Sequence, residues 1–172
     1  MSEIATNGED AQRRERETQG LPGGAGMSAP KSIRFRVPCE PKGKSRPRFN
    51  GKFAYKDKKQ ARWEDMFTLY ASEHRPEQPF EGPLMMKIMF VINRPKRLQR
   101  KRDSPELIPC DKKPDLDNLV KSVQDSLNGQ GWWNDDSQVA MLTTGKAYSE
   151  KGMPARIEVE ISQITDPTQR EQ

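Results

Sequence analysis

The chain has 172 residues, 32% hydrophobic and 32% charged, with a formal net charge of +5 and a mean hydropathy of −1.01. That length suits one domain, and no stretch approaches the roughly 20 apolar residues of a membrane span. Cys39 and Cys110 form no CxxC, and His74 is the lone histidine, so neither a zinc site nor a His-based triad is indicated. Two unpaired thiols suit a reducing, cytoplasmic setting.

The polarity is unevenly spread. Residues 1–30 contain GLPGGAG and RRERE with few apolar residues, which reads as a flexible N-terminal extension, and 165–172 reads as a tail. Residues 31–164 hold enough apolar content for one packed core. Charge is also zoned. Residues 31–62 carry twelve Lys and Arg against Glu40 and Asp57, and 94–102 add six with no acid. Residues 111–136 reverse the sign, with six Asp against three Lys. A basic frame around an acidic spot is what an enzyme acting on a phosphate polymer requires, because the frame holds the backbone while the acids hold metal. Taken singly, each basic run fits a solvated face as well as a binding face.

Ile33 to Val37 alternates apolar and basic residues, the pattern of a half-buried strand. Asn50-Gly51 predicts a hairpin whose arms present Arg46, Arg48, Lys52 and Lys56 as a basic finger. Lys44, Arg46, Arg48 and Lys52, together with Lys146, are the candidate DNA contacts. Residues 58–73 predict an amphipathic helix with Trp63, Met66, Phe67 and Tyr70 turned inward. Leu84 to Ile92 is a nearly continuous apolar run, which suits a central strand covered on both sides, at least in part. The basic segment RPKRLQRKRDSPELIPCDKKP predicts a long loop of the kind that is functional or mobile. A second helix runs from about Pro114 to Gly129, followed by strands over 138–148 and 155–164. The order β, hairpin, α, β, α, β, β predicts an α+β fold, a mixed sheet with both helices on one face.

The chemistry concentrates in KPDLDNLVKSVQDSLNG, residues 113–129. On a helical wheel Leu116, Leu119, Val120, Val123 and Leu127 share one face, while Asp117, Lys121 and Asp125 stack along a flank. Asp115 falls near the N-cap, where a carboxylate accepts an orphan amide bond worth about 1 kcal/mol, so the D-x-D pair alone reads as capping. The pattern fails as a calcium loop, since Leu119 and Val120 stand where an oxygen ligand and a glycine are needed. Asn134-Asp135-Asp136 alters the balance. A strand starting near 137 would bring Asp135 or Asp136 beside Asp115 and Asp117, and three or four such carboxylates repel unless a cation joins them. Oxygen ligands without Cys or His select Mg²⁺, with Mn²⁺ as a substitute. Lys121, one turn from Asp117, would neutralise developing phosphate charge or orient a water. A non-catalytic DNA-binding module, its acids serving only as caps, is the alternative.

PKGKSRPRF, KPDLDNLVKSVQDSLNG, WWNDDSQV and the Lys146–Tyr148 pair together resemble the RusA family of Holliday junction resolvases, from about residue 33 to 162. The resemblance implies that Asp115, Asp117 and Asp136 are the metal-binding acids and Lys121 the essential lysine, with Asn118 and Asp125 in supporting places; Asp135, beside Asp136, is a further supporting candidate. It further implies a homodimer that cuts two strands of a four-way DNA junction symmetrically with Mg²⁺, in recombination and repair. Residues 1–30 match nothing in the family, and the 94–113 loop exceeds what its shortest members need.

Overall fold

The hydrophobic periodicities become a sheet with one covered face. The computed structural model describes residues 32–44, 48–51, 53–55 and 57–164. The extension expected over 1–30, the tail over 165–172, and Arg46, Lys52 and Lys56 lie outside the described residues, as does the side chain of Arg48. The elements run β1 (Ser32–Val37), β2 (Arg48–Asn50), β3 (Phe53–Tyr55), α1 (Lys58–Ser72), β4 (Leu84–Ile92), β5 (Ile108–Pro109), α2 (Leu116–Leu127), β6 (Val139–Tyr148) and β7 (Arg156–Gln163). Five strands form a sheet in the order β1-β7-β4-β6-β5, and β2 pairs β3 as a separate hairpin. That hairpin turns through Gly51 at φ 62°, as the Asn-Gly pair predicts.

The sheet is mixed: β4 and β6 are parallel, and the other pairs are antiparallel. Parallel neighbours need a crossover, and α2 lies within it. The helix therefore runs back along the strands, with its amino end at their carboxyl end. This single fact fixes where the acids go.

Alternate residues of β4, namely Leu84, Met86, Ile88, Phe90 and Ile92, are buried, and Phe35, Val37, Ile157, Val159 and Ile161 extend that layer across β1 and β7. Trp63 and Phe67 from α1, with Leu119, Val120, Val123 and Leu127 from α2, close over it. The two helices meet through small residues. Thr68 Oγ1 donates to the Ser126 carbonyl at 3.2 Å, and buried Gln60 reaches Ser122 Oγ at 3.5 Å. Tyr70, expected inward, is 39% exposed because it falls on the outer flank of α1.

The opposite sheet face is less covered than the apolar run over 84–92 suggests. Met85, Lys87 and Met89 are half-buried, and only Val91 is fully covered. A cross-strand ladder occupies this face, with Arg34–Glu160 and Arg36–Glu158 each at 3.0 Å and Lys87–Glu160 at 3.6 Å. Arg156 forks onto Glu150 through two 2.8 Å bonds and holds its carboxyl down to about 2. Both cysteines are free and buried, and burial pushes the Cys39 thiol up to about 11. Among the described residues no helix is long and apolar enough to cross a membrane.

Candidate active site

The amino end of α2 is built by a lysine. Lys146 projects from β6 on the helix side, and its Nζ donates to the Lys112 carbonyl at 2.5 Å and the Pro114 carbonyl at 2.7 Å. Expected to meet DNA, Lys146 instead has its ammonium engaged in holding the turn that leads into Asp115. The Lys113–Pro114 peptide within that turn is cis.

Asp115 occupies the N-cap position with extended backbone, φ −70° and ψ 142°, yet its side chain makes no capping hydrogen bond. The capping explanation, sufficient from sequence, therefore fails for this residue. Asp117 follows in the first helical turn, where the helix dipole favours a carboxylate. Lys121 Nζ lies 3.6 Å from Asp117 Oδ2, with both side chains about two-thirds exposed (61% and 66%). The spacing i, i+4 brings them together as expected. A contact of this kind in water contributes a few tenths of a kcal/mol, roughly, so it orients the carboxylate without contributing much to stability.

Asp125 has a different occupation. Lys44 Nζ forms a salt bridge with its Oδ2, and the Lys44 amide donates to the Asn118 carbonyl at 3.1 Å. The preceding Gly43 lies flat on the helix, where an added Cβ would stand 3.3 Å from Pro114 Cβ and 3.4 Å from Asn118 Cβ. Lys44, expected as a DNA contact, thus clamps the start of the basic segment to the flank of α2. Asp125 and Asn118 serve that clamp.

The Asp135-Asp136 pair divides in the same way. Asp135 Oδ1 accepts the Ser137 amide at 2.8 Å, while Gln138 Oε1 accepts the amides of Asn134 and Asp135. This is a complete capping box on the 3-10 turn Asp136–Gln138, and the hydrogen bonds from Ser137 hold the Asp135 carboxyl below its usual range. Asp135 is structural, and its neighbour carries no such duty in the box. We expect Asp135→Ala to lower Tm by roughly 3 °C through loss of the cap, while Asp136→Ala leaves thermal unfolding almost unchanged. Equal losses in the two melting curves would refute this division.

From sequence, Asp135 or Asp136 is expected beside Asp115 and Asp117, but within one chain these acids are not grouped. Among the described residues, no three of His, Cys, Asp and Glu are placed to hold one ion. The crossover explains why. Lys146 ties the start of α2 to the carboxyl half of β6, whereas the Asp136 turn directly precedes Val139 at its amino end. Gln138 Nε2 fixes that turn by donating to the Phe80 and Gly82 carbonyls, at 3.0 Å each, ahead of β4. At about 3.3 Å per strand residue, the two acid groups stand on the order of 20 Å apart.

Sequence reasoning also missed two cations that organise the basic loop, Arg94 and Lys151, because carbonyl acceptors leave no trace in a sequence. A short strand, β5, emerges inside that loop and pairs Ile108 with Tyr148.

A family model described as endodeoxyribonuclease RusA matches residues 38–162. The chain is 37% identical over 142 residues to the Uncharacterized protein YqaN of Bacillus subtilis (strain 168), covering 77% of this chain and 97% of that protein. It is 30% identical over 135 residues to the crossover junction endodeoxyribonuclease rusA of Lactococcus phage r1t, covering 75% and 92%. The family match begins just after β1, ends within β7 and includes both acid groups, and on this evidence the chain belongs to the RusA family of endodeoxyribonucleases.

Proposed function

We propose that this protein is a Mg²⁺-dependent resolvase that hydrolyses phosphodiester bonds at four-way DNA junctions as a homodimer. The observation that carries the reading is Asp115, a carboxylate set at a helix start without capping it, one residue from Asp117. Two hard-oxygen donors at a helix amino end fit an oxygen-ligated divalent cation. Among the described residues no third acid joins this pair within one chain, so the reading includes Asp136 from a second copy as the remaining ligand. A twofold dimer then has two equivalent sites, one for each strand to be cut.

When bound, a divalent cation supplies Lewis-acid stabilisation of the phosphate and an activated water. The chain's own residues do the rest. Asp115 and Asp117 would hold the ion, and Lys146 fixes the backbone that carries them. Lys121 keeps Asp117 oriented and offers positive charge to the phosphate as charge develops on its oxygens. The Gly43–Lys44 clamp fixes the start of the basic segment on the same helix, and Arg46, Arg48 and Lys52 are proposed from the sequence alone as contacts to the DNA backbone.

Incubating the purified protein with a synthetic four-way junction and a matched linear duplex, in Mg²⁺ or in EDTA, tests the reading. Paired symmetric cuts in the junction with Mg²⁺ alone are the expected result. Salt-sensitive binding with no cleavage under Mg²⁺ or Mn²⁺ would instead indicate a DNA-binding module.

A further inference from the structure

The basic loop after β4 is built on two inward-facing cations. Arg94 is 5% exposed and, among the described residues, forms no salt bridge. Its Nε donates to the Ser149 carbonyl at 2.7 Å, its Nη1 to those of Ser104 at 2.6 Å and Leu98 at 3.5 Å, and its Nη2 to that of Glu106. Lys151 Nζ donates to the carbonyls of Arg100, at 2.7 Å, and Asp103. Beneath the loop lies a small apolar cluster of its own, Ile92, Cys110 and Tyr148 with Leu98 and Ile108 packed against it. Burying a guanidinium without a counter-charge is costly, and carbonyls turned inward from both limbs of the loop offset it only while the loop holds one shape. A loop present only to keep the surface soluble would need no such fixing.

With the carbonyls turned in, the side chains of Lys96, Arg97, Arg100, Lys101 and Arg102 are exposed, and no acid lies between them in sequence. Among the described residues none of the five forms a salt bridge, and only Arg97 lies within electrostatic reach of an acid, Asp111, so most of this charge is available to a ligand. The platform also joins the catalytic end of the fold. The Cys110 amide donates to the Lys146 carbonyl at 3.1 Å, and Lys146 in turn holds the turn before Asp115.

We propose that residues 96–102 form a second DNA-backbone site, preorganised by Arg94 and Lys151, that grips the phosphates of a duplex arm beside the amino end of α2. The proposal rests on the nuclease reading and adds a surface to it. Fixed cations bind a regular array of phosphates better than mobile ones, because the ordering cost is already met in the free protein.

The test uses the full chain carrying Arg100→Ser, Lys101→Ser and Arg102→Ser together, with binding to junction and linear duplex measured in EDTA across a salt series. The expected result is Kd weakened at least about tenfold at low salt, with the log–log salt slope shallower by about two to three. Arg94→Met, which alters no exposed charge, is expected to speed trypsin cleavage within the loop and weaken binding in the same direction, with Arg94→Lys partly restoring it. If Arg94→Met does not fold, the triple variant still decides. A triple variant with wild-type Kd and slope overturns the platform and leaves the nuclease reading standing. A wild-type protein that neither binds nor cuts the junction overturns both.

Discussion

Asp117→Asn should bind a four-way junction as the wild type does and cut it at least about a hundredfold more slowly in Mg²⁺. The substitution keeps shape and removes one negative charge. Nothing structural depends on that charge, since the contact with Lys121 is exposed at 61% and 66% and 3.6 Å long. Stability should therefore change by a few tenths of a kcal/mol, roughly. Binding should hold because the basic frame is untouched. Asp115→Asn should behave alike, since its carboxylate caps nothing. Gel-shift binding in EDTA and single-turnover cleavage in Mg²⁺ separate the two quantities. Wild-type cleavage by either variant would remove these residues from the site.

The fold was legible where burial imposes a period. The apolar face of α2 emerges as read, and so do β4, β7 and the mixed sheet, because a side chain's place on a helix or strand follows from spacing alone. The Asn50-Gly51 turn was legible for another reason, since Gly51 adopts a positive φ that most residues avoid. Roles of individual acids were not legible. Asp115 and Asp135 look alike as N-cap carboxylates, yet only Asp135 finds a complementary Gln three residues on. A capping-box search would have separated them, because DDSQ fits that pattern and DLDN does not. Distances across the crossover were beyond the sequence. A short connection after Gly129 suggested that the Asp136 turn returns along α2, but the parallel pairing of β4 with β6 carries the chain to the far end of the sheet before β6 begins.

That separation makes the second large prediction possible. If Asp136 of one copy completes the site begun by Asp115 and Asp117 of the other, two dead enzymes can make one live site. Homodimers of Asp117→Asn and of Asp136→Asn should each be inactive. In a mixed dimer of the two, one site receives both substitutions and the other receives neither. The mixed dimer should therefore nick a single strand of the junction at close to the wild-type rate per intact site, about half the cuts per dimer, and leave paired resolution abolished. Differently tagged copies, co-expressed and purified through both tags, supply the species. A site contained within one chain predicts the opposite, since each site would then carry one substitution and no cleavage would return. Denaturing gels of end-labelled junction strands distinguish the outcomes directly. The carboxylate pair at the start of α2 and the acid before β6 lie toward opposite ends of β6, on the order of 20 Å apart, so recovery of nicking would show a site shared between copies.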